Sequence, residues 1–135
     1  MTYLVKPVGH VESSLRSLDD APRQGDEGAP TAWLVLDAAV APALEAIGVG
    51  DELVVLTWLH EAQRDQLRVH PRGDLSRSAV GVFATRAPGR RNPIGLHTVR
   101  VLAIDGSRVQ VADLEAIDGT PLVDIKPALG PLDSR

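Results

Sequence analysis

Two β-rich runs within residues 96–114 flank Asp105-Gly106, and no other stretch of the chain restricts its fold as tightly. An Asp-Gly pair in that setting is a strong hairpin signal, because glycine accepts the positive φ that tight two-residue turns need. A turn at Asp105-Gly106 sets Leu102 opposite Val109 and Arg100 opposite Val111 on one side of the ribbon. On the other side Val101 meets Gln110 and Val99 meets Ala112. Neither face is plainly polar. One lines a core, and the other calls for a covering surface, which makes a homodimer the natural expectation.

The remaining elements extend this pattern. Residues 3–11 read as a first strand, interrupted by Pro7 and Gly9 and so suited to an edge or a bulge. Residues 12–30 are polar and carry Pro22, Gly25, Gly28 and Pro30: a loop of a length that is often functional or disordered. Residues 31–36 form a short strand, and 40–47 a short helix with Pro42 in its first turn and Gly48 at its end. The run 53–59 is rich in Val and Leu without alternation, so both of its faces need cover. Between Ala62 and Arg72 a helical turn and a strand near 67–69 both remain open. Residues 81–85 read as a strand, and 122–126 as a last one after the turn Asp118-Gly119-Thr120-Pro121. Six to eight strands, at most two short helices and no repeat point to one mainly β domain over 1–135, an antiparallel β-barrel.

Composition bounds the chemistry. At 135 residues and 44% hydrophobic content the chain supports a real core. With no cysteine it holds no disulfide, thiolate metal site or cysteine nucleophile. His10, His60, His70 and His97 are scattered without metal-binding spacing, so no metal is expected. Residues 1–7 have no signal-peptide pattern, and no apolar run approaches the ~18 residues of a membrane helix; a cytoplasmic protein is expected. A formal net charge of −4 argues against a general nucleic-acid coat protein. Tyr3, Trp33, Trp58 and Phe83 are too few for an extended base-stacking platform. Any nucleic-acid contact has to come from a local basic patch.

That patch lies in residues 81–96, GVFATRAPGRRNPIGL. Pro88 and Pro93 fix φ, while Gly89 and Gly95 are read as allowing conformations closed to other residues. Arg86, Arg90 and Arg91 fall in this loop with Asn92. Loops held on rigid scaffolds commonly carry function.

Residues 81–96 resemble the signature of the TsaA-like (TrmO) family of S-adenosylmethionine-dependent tRNA methyltransferases. DLEAIDGTPLVDIKP at 113–127 resembles a second signature, and Pro22-Arg23-Gln24 and Trp58-Leu59-His60 give weaker matches in the expected order. The resemblance implies a barrel with S-adenosyl-L-methionine near a dimer interface, and methylation of N6 on a modified adenine beside the anticodon of tRNA. It places cofactor contacts on Gly25, Asp26 and Glu27, on His60 and Glu61, on Arg86 and Leu96, and on Ala112, Asp113, Leu114 and Glu115. Toward the methyl acceptor it places Arg90, Arg91, Asn92 and Lys126. A catalytic residue is not identified.

The chemistry fits those types. Methyl transfer from a sulfonium is an in-line displacement governed by positioning. Acidic groups suit the sulfonium and amino group, and a guanidinium suits the carboxylate. Other readings stand beside these: an ion pair for Arg86, an interior position for His60, and turn bracing for Asp118 and Asp124. Where the family has Arg-Pro-Asn-Pro-Ile-Gly this chain has Arg90-Arg91-Asn92-Pro93-Ile94-Gly95, and Ala128 replaces a tyrosine. These departures keep open a small-molecule acceptor, or a barrel that binds cofactor or RNA without catalysis.

Overall fold

The computed structural model describes residues 1–17 and 28–130. Among them are eight strands: β1 (Gly9–Glu12), β2 (Ala32–Leu36), β3 (Glu52–Trp58), β4 (Arg68–Val69), β5 (Val80–Gly81), β6 (Ile94–Asp105), β7 (Arg108–Ala112) and β8 (Pro121–Pro127). Six of them close into a barrel in the order β1-β2-β7-β6-β3-β8, and β4-β5 form a separate two-stranded ribbon. Every pairing is antiparallel, as expected for the fold class. No helix among the described residues is long and apolar enough to cross a membrane.

The interior follows from period-two alternation. Val11, Leu34, Leu36, Val55, Val99, Val101, Val109, Val111 and Leu122 point inward and form one buried cluster, joined by Leu53, Leu114 and Ala116. Complete burial of each such side chain contributes about 1.5–3 kcal/mol. As its sequence suggests, β3 is covered on both sides: Leu53 and Val55 lie in the core, while the outward Val54 is only 8% exposed.

Four expectations need correction. The hairpin turn is Gly106-Ser107, with Asp105 opposite Arg108, and Gly106 takes the positive φ of 60°. The register then shifts between Val101 and Ala103, which brings Val101 rather than Arg100 opposite Val111. That bulge matches two core valines, 1% and 0% exposed. The first strand begins at Gly9, not Tyr3; Pro7 offers no donor, and Tyr3, Leu4 and Val5 lie outside the barrel in solvent. In place of a helix over 40–47 there is a 3-10 helix, Ala38–Leu44. The supposed strand 81–85 ends at Gly81 and curls into a 3-10 turn, Val82–Ala84. The open segment resolves as both alternatives in sequence, with β4 followed by a 3-10 turn at Pro71–Gly73.

Strand direction places the loops. Because neighbours alternate up and down, the ends of β1, β3 and β7 share one rim with the starts of β2, β6 and β8. The connections 13–31, 59–93 and 113–120 all emerge there. The opposite rim carries the 3-10 helix, the 106–107 turn and the end of β8.

Candidate functional site

Inside the loop-bearing rim sits His97, on the inward face of β6 and 4% exposed. Its Nδ1 lies 2.6 Å from Glu115 Oε1, and its Nε2 lies 2.7 Å from Thr57 Oγ1 on β3. The strand register accounts for this meeting. Arg100 pairs with Ala112, so three further places along each chain set Glu115 against His97. Asp113, at φ 68°, breaks the ladder there, and segment 113–120 folds over the barrel mouth with Leu114, Ala116 and Ile117 buried. Gly95 is the close neighbour that makes the arrangement possible. A Cβ on Gly95 would overlap Thr57 Oγ1 and come within 2.7 Å of His97 Nε2. Gly95 and Gly89 have no positive φ, so the expectation of special backbone conformations is corrected to one of space.

The Arg-rich loop is braced from within. Arg90 Nη1 donates to Thr85 O at 3.0 Å and Ala87 O at 2.9 Å, and Nη2 donates to Val82 O at 3.3 Å. Thr85 Oγ1 donates to Val82 O and accepts from the Ala87 amide. Arg90 is therefore the clamp of the 82–90 turn. Arg91 Nε is paired with Asp65 Oδ1 at 2.9 Å, and its carbonyl accepts two bonds from the Arg64 guanidinium. What the clamp presents is Arg86, exposed and with no ion pair or hydrogen bond among the described residues, and Phe83, 89% exposed. The alternative reading of Arg86 as an ion-pair residue finds no partner among the described residues.

The other expected residues divide. Gly25, Asp26 and Glu27, like the match at Pro22-Arg23-Gln24, lie outside the described residues. His60 and Glu61 are exposed at the end of β3, so the interior alternative for His60 is corrected. Asn92 is exposed on the same rim. Ala112 and Asp113 are half-buried, while Leu114 packs in the core and leaves only its backbone for a ligand. Leu96 is on the outer face of β6 opposite Leu56, 40% exposed, next to Ile94 at 45%. Lys126 is the outlier: it sits toward the far end of β8 opposite Val54, with Nζ 3.3 Å from Asp124 Oδ2. Asp118 braces the mouth, accepting from Ser13 N and from Arg16 Nη1 at 2.8 Å. An open groove beside it is lined by Glu12, Ser13, Arg16, Trp33 and Asp118. His97 was not singled out in the sequence, although inward alternation from Gly95 through His97, Val99 and Val101 marks a polar residue on a core face.

Charge is sorted as well. Residues 60–93 carry seven arginines against Glu61, Asp65 and Asp74, a net of +4, which leaves −8 on the rest of the chain. Asp74 is held below its usual carboxylate range by hydrogen bonds from the Ser76 hydroxyl and then the Ser76 amide.

Comparison with known proteins bears on this rim. A model of the tRNA-methyltransferase O N-terminal domain matches residues 10–134. The chain belongs to that family. The resemblance read from 81–96 and 113–127 is thereby borne out. An S-adenosyl-L-methionine-binding protein of Archaeoglobus fulgidus is 40% identical over 123 residues, covering 91% of this chain and 87% of its own. A probable S-adenosyl-L-methionine-binding protein of Methanothermobacter thermautotrophicus is 40% identical over 134 residues, covering 99% and 96%. The crystal structure of TrmO from Pseudomonas aeruginosa matches with a TM-score of 0.76 at 32% identity, covering 96% of this chain and 57% of that one. This chain thus spans little more than half of that solved TrmO.

Proposed function

We propose that the chain is an S-adenosyl-L-methionine-dependent methyltransferase that methylates N6 of a modified adenine beside the anticodon of tRNA, in the cytoplasm. The observation that carries this is a carboxylate at the barrel mouth together with an arginine-rich excursion that leaves the same rim in an otherwise acidic chain. That excursion carries Arg86, exposed and without a partner among the described residues. Glu115 offers a negative charge and Arg86 a positive one, which suits a zwitterionic ligand with a sulfonium. When bound, the cofactor supplies an activated methyl group. The protein's part is to hold donor and acceptor in line and near contact.

The net +4 of 60–93 supplies the local field a polyanion needs, while the −8 elsewhere turns other faces away. With Arg90 and Arg91 engaged, Arg77 and Arg86 are left to face phosphate or cofactor; neither guanidinium has a hydrogen bond or ion pair among the described residues. A homodimer belongs to the same reading. Leu56, Trp58, Ile94 and Leu96 form an apolar stripe on the outside of β3 and β6, and contiguous apolar surface favours an interface.

The test is transfer of a labelled methyl group to total tRNA and, separately, to a small-molecule extract, with nucleoside analysis of the RNA. Label on an N6-methylated adenosine derivative is expected. Label confined to the extract moves the acceptor to a small molecule. Cofactor binding without label in either arm leaves a binding protein.

A further inference from the structure

We propose that His97 is a positioning residue that fixes the Glu115 carboxylate for the cationic end of the cofactor, a role resting on the methyltransferase reading above. Both ring nitrogens are already engaged, at 2.6 Å to Glu115 and 2.7 Å to Thr57, and the side chain is 3% exposed. The ring is thus unavailable as an acid or base toward a substrate. It is a strut that ties β3, β6 and the mouth segment 113–120 together. In the neutral ring Nδ1–H donates to Glu115 and Nε2 accepts from the Thr57 hydroxyl; in the imidazolium both nitrogens donate.

Glu115 is placed to use that support. Its side chain is 16% exposed, and its only hydrogen bond among the described residues is the one from His97. No buried side-chain oxygen in the described structure lacks a partner, so Oε2 reaches the surface while Oε1 is held inside. A free glutamate loses rotamer entropy when it must meet a ligand in one pose. The bond from His97 removes part of that freedom beforehand, because Thr57 is fully buried and stops the ring from turning. The chemistry that fits the outer oxygen is a sulfonium or ammonium, and here that is S-adenosylmethionine.

The experiment is titration calorimetry of S-adenosylmethionine with the full chain and four variants: His97→Ala, His97→Asn, His97→Gln and Glu115→Gln, plus the double His97→Ala/Glu115→Gln. The asparagine amide overlays Nδ1 and still donates to Glu115; the glutamine amide overlays Nε2 and reaches only Thr57. Affinity should fall about tenfold in His97→Ala and His97→Gln, the scale of one charge-assisted hydrogen bond. His97→Asn should stay within about threefold of the wild type. Adding His97→Ala to Glu115→Gln should cost nothing further, since the histidine acts through the carboxylate. Equal affinities for the Asn and Gln variants, or additive losses in the double variant, overturn the role. If His97→Ala does not fold, the Asn and Gln pair still decides. A wild-type chain that binds no S-adenosylmethionine refutes the methyltransferase reading and this role together; wild-type binding with indifferent His97 variants refutes this role alone.

Discussion

Gly95→Ala tests whether the family's Asn-Pro-Ile-Gly segment owes its glycine to space. The added Cβ would overlap Thr57 Oγ1 and lie 2.7 Å from His97 Nε2 and 3.1 Å from Leu59 Cδ2. Thr57 and His97 are 0% and 4% exposed and bonded to each other, so neither moves aside without breaking that bond. Overpacking of this kind costs about 1–3 kcal/mol. Leaving a buried hydroxyl or imidazole nitrogen unmet costs a further ~1–3 kcal/mol. The expected loss is therefore about 2–6 kcal/mol, against the ~5–15 kcal/mol that holds a typical domain.

Urea unfolding followed by circular dichroism reads this directly, as a lower midpoint at unchanged m. Gly81→Ala is the control: no atom lies within 4 Å of its Cβ and its φ is not positive, so the change should stay within about 0.5 kcal/mol. Gly89→Ala should also be mild, because the atoms in the way belong to the flexible Gln66 side chain. Removing the obstructing oxygen with Thr57→Ala should make the two substitutions together cheaper than their sum. A folded Gly95→Ala protein within about 0.5 kcal/mol of the wild type would refute the steric account.

Two further outcomes follow from the same loop. Arg90→Ala should speed amide exchange across 82–91 and lower cofactor affinity, and Arg90→Lys should not restore either, because an ammonium cannot span the carbonyls of Val82, Thr85 and Ala87; native exchange rates in Arg90→Ala would remove the clamp. Arg86→Ala should weaken S-adenosylmethionine binding by roughly 1.5–3 kcal/mol without lowering Tm, since its guanidinium holds nothing inside the described structure; a lower Tm with unchanged affinity would assign it to the fold instead.

Much of the barrel was legible because its strands alternate. Each run alternates at period two, and Asp105-Gly106 marks the reversal to within one residue. The expected register, however, set Val99 and Val101 on the face opposite Val109 and Val111, whereas the structure turns all four inward. The bulge at Leu102 was not legible, since nothing in a local sequence says which of two neighbours will stay unpaired. The role of Arg90 was equally hidden. A guanidinium looks the same in a sequence whether it meets phosphate or three carbonyls of its own loop, and only the curl at Val82–Ala84 decides. The contact between His97 and Glu115 crosses a strand pair and a broken ladder, so it depends on a register fixed elsewhere.

The position of Lys126 bears on how the site is completed. Antiparallel closure places the connections 13–31, 59–93 and 113–120 on one rim, and β8 leaves that rim at Pro121. Five residues later Lys126 pairs with Val54, which itself pairs with Thr98, so Lys126 lies one rung beyond His97 and two strands away, about 10 Å across the sheet. It faces outward beside Val54, on the side where Leu56 and Leu96 form the apolar stripe. Within one barrel the two groups therefore stand on opposite faces of the wall, Lys126 outward beside Val54 and Glu115 at the mouth with His97. If two copies pack over the stripe on β3 and β6, Lys126 borders the surface they share. An acceptor held at Lys126 would lie on the outer face beside that stripe, not inside the mouth where His97 holds Glu115.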